Sequence, residues 1–124
     1  MHPMILLYNF VQDERTRQIR GYLSKAGITA RLVSAPDYQK PLGYLFGLPG
    51  FSEPYPVNLG ANFKDEMLVM HNFSNNQLDQ LLAFFRERQL SPVALKAVLT
   101  PVNCHWNSLK LHEELLKERD AMRR

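Results

Sequence analysis

The chain reads as a small α/β domain, a four-stranded sheet assembled from two βαβ units. Three observations predict it. The apolar run "MILLYNF" at Met4–Phe10 returns as "MLVMHNF" at Met67–Phe73, each copy precedes an amphipathic helical pattern, and each helix is followed by a further apolar run. At 124 residues, with 45% hydrophobic and 22% charged residues, the chain suits one domain over 1–124 with a core of useful size.

The first unit, 1–33, opens with a strand at Met4–Tyr8. Ile19, Tyr22, Leu23 and Ala26 then recur at offsets of three, four and seven, the stripe of a helix. Asp13 is its candidate N-cap and Gly27 its C-terminal cap. A second strand follows at Ala30–Val33 within "ITARLVSA".

The second unit, 67–100, repeats the plan with a strand at Met67–His71 and a helix carrying Leu78, Leu81, Leu82 and Phe85. Ser74 and Gln77 have the spacing of a capping box, and Phe73 with Leu78 that of a hydrophobic staple. The first copy matches less well here, since Val11 stands where Ser74 stands. A fourth strand is expected over Val93–Thr100. In the tail, 101–124, Asn107 caps a final helix, with Trp106 stapled to Leu111. That helix carries Leu111, Leu115, Leu116 and Met122 on one side and a Glu113–Lys117 pair on the other.

The insertion 34–66 differs in composition. It holds five of the eight prolines, four of the six glycines and six of the thirteen aromatics. Disordered segments are poor in aromatics, so this one is expected to fold. Pro41 and Gly47 bracket a short helix in "KPLGYLFG", and the remainder reads as a loop pinned by its aromatic rings.

Strand direction decides what could form a site. Strands covered on both faces are apolar throughout, and "MILLY" and "MLVM" are. The insertion is long enough for a crossover, and three helices can cover two faces. A mainly parallel sheet, ordered second-first-third-fourth, is therefore expected. The alternative is a ferredoxin-like βαββαβ sandwich with a long insertion between its second and third strands.

In the parallel sheet Asn9 and Asn72 lie side by side at the carboxyl edge, near Thr100 and Asn103, where open α/β sheets bind ligands. Tyr44 would add a hydrogen bond and Phe46 an apolar wall. In the antiparallel alternative the two asparagines never meet, and each serves only as the Asx closure of its own turn. Cys104 is the one cysteine, a possible reactive thiol beside His105, though adjacent side chains point apart and an inert thiol is the plain alternative.

Other chemistry finds little support. The histidines at 2, 71, 105 and 112 have no metal-ligand spacing, and no phosphate-binding glycine loop follows a strand. Neither a metal nor a cofactor is expected. Fifteen Lys/Arg against twelve Asp/Glu leave +3, with the charges interspersed, which argues against nucleic acid. No apolar run is long enough to span a bilayer and no secretion signal opens the chain; with a single cysteine, a cytoplasmic location is expected.

"LKAVLTP" with Asn103 and Trp106, the "EELLKE" helix, and "EMLVM" with "NFS" resemble a family of short, uncharacterised bacterial proteins, domain of unknown function 3783. "DYQKPLGYLFG" looks like that family's middle segment. The resemblance implies a bacterial cytoplasmic protein and brings no activity, cofactor or catalytic residue.

The expected function is thus a non-enzymatic binding or regulatory module for a small polar ligand at one sheet edge. The alternatives are a protein-interaction module or homodimer using the aromatic insertion, and a thiol-dependent enzyme built on Cys104.

Overall fold

Residues 2–123 are described by the computed structural model. The first unit comprises β1 (Met4–Tyr8), α1 (Glu14–Lys25) and β2 (Thr29–Val33). The second comprises β3 (Met67–His71), α3 (Asn75–Glu87) and β4 (Leu95–Val98). The insertion carries α2 (Leu42–Leu45), and α4 (Ser108–Met122) closes the chain.

The strand order is β2-β1-β3-β4, as expected, but the relative direction of the two halves is not. β1 is parallel to β2, and β3 to β4, while β1 and β3 are antiparallel. The sheet is mixed rather than mainly parallel. It also departs from the ferredoxin-like alternative, because the two strands of each βαβ unit are neighbours, with no third strand between them. Ile5–Tyr8 and Met67–Met70 are buried, so the apolar runs do report cover on both faces. Cover on both faces fixes no direction, and that is where the parallel expectation failed.

The register has a further property. Met4 pairs with His71, Leu6 with Val69 and Tyr8 with Met67. In the repeat Leu6 corresponds to Val69, so the central residue of each strand pairs with its own counterpart. That is the pattern of a two-fold axis normal to the sheet. Such an axis carries each unit onto the other on the same face. α1 and α3 accordingly lie together, with Tyr22 stacked on Phe84 at 4.5 Å, over a core of Ile5, Leu7, Leu68 and Met70.

The opposite face is covered by parts outside the repeat. Leu6, Tyr8, Met67 and Val69 pack there against Leu42 and Leu45 of α2, Leu111 of α4, and Tyr38 and Phe63 of the insertion. The Tyr38 and Phe63 rings stack at 4.8 Å. Leu42 N–H donates to the Trp106 carbonyl at 2.8 Å and Ser108 N–H to the Tyr38 carbonyl at 3.1 Å, tying the insertion to the start of α4. α2 is the short helix expected between Pro41 and Gly47. A Cβ on Gly43 would stand 2.3 Å from Phe51 Cε2, so this glycine is what lets the Phe51 ring close onto the helix.

The helix ends follow the sequence closely. The Asp13 carboxylate accepts from Thr16 N–H, the Asn107 side chain from Lys110 N–H, and Ser74 with Gln77 forms the full capping box. α1 and α3 end alike: Ile28 N–H reaches the Leu23 carbonyl and Leu90 N–H the Phe85 carbonyl, in Schellman motifs closed by Gly27 and Gln89 at φ +74° and +55°. β4 is shorter than expected at both ends, and at its C-terminal end Thr100 N–H turns away from the ladder to the Asn103 side chain.

Asn9 and Asn72 have φ of +64° and +63°, a left-handed conformation that asparagine tolerates better than any residue with a larger or branched side chain. Each reverses the chain between strand and helix, which accounts for the Asn-Phe that ends both copies of the repeat. Asn9 does more. Its Nδ2 donates to the carbonyls of Phe63 and Asp65 at 2.9 and 3.0 Å, whereas Asn72 makes one long contact of 3.5 Å to His2. Asn72→Gly should therefore change stability by no more than about 0.5 kcal/mol in urea unfolding, while Asn9→Gly should cost about 1–2 kcal/mol through its lost hydrogen bonds. Equal losses would mean that backbone conformation alone retains both.

Candidate functional site

The residues grouped by sequence at one rim are divided by the antiparallel pairing. Asn9 follows β1 and Asn72 follows β3, so they lie at opposite ends of the sheet. Thr100 and Asn103 follow β4, which runs with β3, and share the Asn72 end. Asn103 is buried and committed. Its Oδ1 accepts from Thr100 N–H at 2.8 Å, its own N–H donates to Thr100 Oγ1 at 3.0 Å, and its Nδ2 donates to the Val98 carbonyl at 3.1 Å. The two residues build a turn and leave little to offer a ligand.

Phe46 is buried at this same end, its ring 5.3 Å from that of His71, whose pKa is lowered by burial. Tyr44 belongs to a separate surface network. Its hydroxyl donates to the Glu53 carboxylate, and the Lys40 ammonium, paired with Asp37 at 3.1 Å and Glu53 at 3.3 Å, sits 5.3 Å from its ring.

The Cys104 thiol donates to the Pro101 carbonyl at 3.3 Å and is half-buried. The imidazoles of His71 and His105 lie against Phe46 and Phe51, and His112 bonds Asp65. Among the described residues none is hydrogen-bonded to the thiol. Nor does any group of three His, Cys, Asp or Glu side chains among them have the placement to hold a metal ion.

The pairing of Asp65 with His112, 47 positions apart, left no local sign among the residues. Nε2 of His112 lies 2.9 Å from the Asp65 carboxylate, and the imidazole stacks on Phe63 at 4.0 Å. The His112 hydrogen bond holds the Asp65 carboxyl below the usual carboxylate range. Ser108, one turn earlier on α4, is buried with its Oγ 2.7 Å from the Tyr8 hydroxyl, and burial pushes that phenol's pKa up. The cluster locks the insertion between β1 and α4 and presents no free nucleophile.

An open apolar feature lies on the other face. α3 leaves a cleft of ≈ 310 Å³ beside β4, floored by Leu68, Leu81 and Val93 and walled by Leu82 and Phe85. Arg86 and Lys96 stand at its mouth, and Lys96 Nζ donates to the Val93 carbonyl at 3.3 Å. Neither cation makes an ion pair with the described residues. The wider groove between α1 and α3, ≈ 450 Å³, includes the stacked Tyr22–Phe84 pair and so has an aromatic floor of its own. In sequence, Leu82 and Phe85 are indistinguishable from core, because helical periodicity does not reveal that β4 is the last strand and leaves them half-covered.

Residues 66–122 match the family described as Domain of unknown function (DUF3783). The match bears out the resemblance carried by "LKAVLTP", Asn103, Trp106 and "EELLKE"; "DYQKPLGYLFG" lies outside it. The DUF3783 segment comprises the second βαβ unit and α4, and it supplies every wall of the α3/β4 cleft. No curated protein and no solved structure matches the chain. No helix among the described residues is long and apolar enough to cross a membrane.

Because the folded pKa of Asp65 is depressed, its ionisation adds stability above the ordinary carboxylate pKa. That contribution is lost as pH falls through the lower folded value. Asp65→Asn should be less stable than the parent near neutrality and show a shallower loss on acidification, followed by urea midpoint against pH. Parallel profiles would show that the Asp65–His112 contact is not formed in solution.

Proposed function

We propose that this protein is a non-enzymatic binding module that seats the apolar part of a small molecule in the cleft between α3 and β4. The observation that carries this reading is a contrast. The polar groups expected to meet a ligand, Asn9, Asn103 and Thr100, are spent on the chain's own backbone, while the cleft keeps apolar walls open to solvent beside two cations without an ion pair among the described residues. Ligand sites are typically concave, mostly apolar and edged by a few polar groups, with volumes that begin near this one. Binding is favoured over catalysis because, among the described residues, the thiol is bonded to the Pro101 carbonyl rather than to a base, and the Asp65–His112 pair is bonded to no nucleophile.

Titration with octan-1-ol should move the amide resonances of Leu68, Leu81 and Val93 in ¹H–¹⁵N spectra. At a hundredfold excess over Kd it should stabilise the fold by about 2.7 kcal/mol. Leu82→Trp, which fills the half-covered wall, should abolish both effects. Shifts confined to Asn72, Thr100 and Asn103 would instead restore a ligand to the turn-lined end of the sheet.

A second reading rests on the insertion. Asn58 is buried, with Nδ2 donating to the carbonyls of Ala35 and Ala61 and its N–H donating to that of Pro36, so its loop is held in place. Beside this anchor Leu59 is 91% and Val57 61% exposed. A fixed loop presenting apolar side chains suits contact with a protein, including a second copy. Light scattering across a concentration series should then show association that Leu59→Lys removes; a monomer at all concentrations would eliminate the self-association form.

A further inference from the structure

Resting on the cleft reading above, we propose that the occupant is a single-chain carboxylate, its alkyl tail in the α3/β4 cleft and its carboxylate between Arg86 and Lys96. The floor residues Leu68, Leu81 and Val93 are buried and carry no polar side-chain atom, so the enclosed part of a ligand must be apolar. Selection therefore falls to the mouth.

There the charge is unbalanced. Lys40, Lys110 and Lys117 each reach a carboxylate, at 3.1, 2.9 and 3.2 Å, whereas Lys96, like Lys25 and Lys64, reaches none among the described residues, and of these three it is Lys96 that borders the cleft. Its ammonium is held at the lip by the Val93 carbonyl, which leaves two of its three N–H donors free. Arg86 stands in the last turn of α3, where the partial negative charge of the helix end would otherwise repel an anion. Its guanidinium reverses that sign. A carboxylate, with two oxygens for a fork of N–H donors and an ammonium, is the head group that satisfies both cations at once, whereas an amine head meets repulsion from each.

The test uses the full chain with sodium octanoate, octan-1-ol and octylamine, each below its aggregation concentration, followed by amide shifts and calorimetry. Octanoate should bind about tenfold more tightly than octan-1-ol, and octylamine more weakly than either. The octanoate advantage should shrink as NaCl rises from about 0.05 M to about 1 M. Shortening the tail to hexanoate should weaken binding roughly tenfold, through two fewer buried methylenes. The variant R86E/K96E changes two exposed side chains and should lose the preference for octanoate while still binding octan-1-ol.

Equal affinity for octanoate and octan-1-ol would overturn the carboxylate assignment and leave the cleft as a site for neutral apolar molecules. Persistence of the preference in R86E/K96E would overturn it as well. Spectra unchanged by either compound would remove the cleft reading and this proposal with it.

Discussion

The contact between Leu6 and Val69 sits at the centre of the sheet, and the antiparallel pairing it belongs to governs the rest of the molecule. Each βαβ unit carries its helix across one face with the same hand. Two units facing the same way, with their outer strands on opposite sides, would have sent those helices to opposite faces. Turned end for end, they place α1 and α3 together and leave the other face bare. The aromatic insertion and α4 fill that vacancy, which is why a quarter of the chain that repeats nothing holds Tyr38, Leu42, Leu45, Phe46 and Phe63 in the core.

The same pairing sets the length and course of the insertion. β2 ends and β3 begins at one end of the sheet, so the connection need not travel its full length to reverse direction. It crosses over β1 and spends its residues as a roof. Asn9 fastens the return leg through the carbonyls of Phe63 and Asp65, and His112 holds the same leg from α4. Aromatic rings of the insertion are thereby consumed in packing within the core, Tyr38 stacked on Phe63 and Tyr8 tilted against both.

Much of this was legible in the residues. The two strands of the repeat, the capping box at Ser74, the caps at Asp13 and Asn107, and the glycine-closed end of α1 all depend on neighbours a few positions apart, and local sequence specifies them. Asn9 and Asn72 were visible as a repeated residue with turn closure as one reading, yet the left-handed φ by which they close those turns leaves no mark in apolar periodicity. Cys104 drew attention as a thiol and Asn103 as a hydrogen-bonding group for a ligand. Their commitment to the Pro101 and Val98 carbonyls depends on how one turn closes. The cleft was invisible for the opposite reason: its walls are ordinary leucines, and only the end of the sheet beside β4 leaves them partly bare.

By itself the sequence determined the elements, their order along the chain and the apolar character of both sheet faces, because burial periodicity and capping act over short distances. Only the tertiary structure decided that the two halves run in opposite directions, which residues share an end of the sheet, and which apolar wall stays open. An apolar strand buries the same surface whichever way its neighbour points. Direction is settled by how thirty-odd intervening residues cover the remaining face, an energy summed over contacts such as Tyr8 with Ser108 that lie a hundred positions apart.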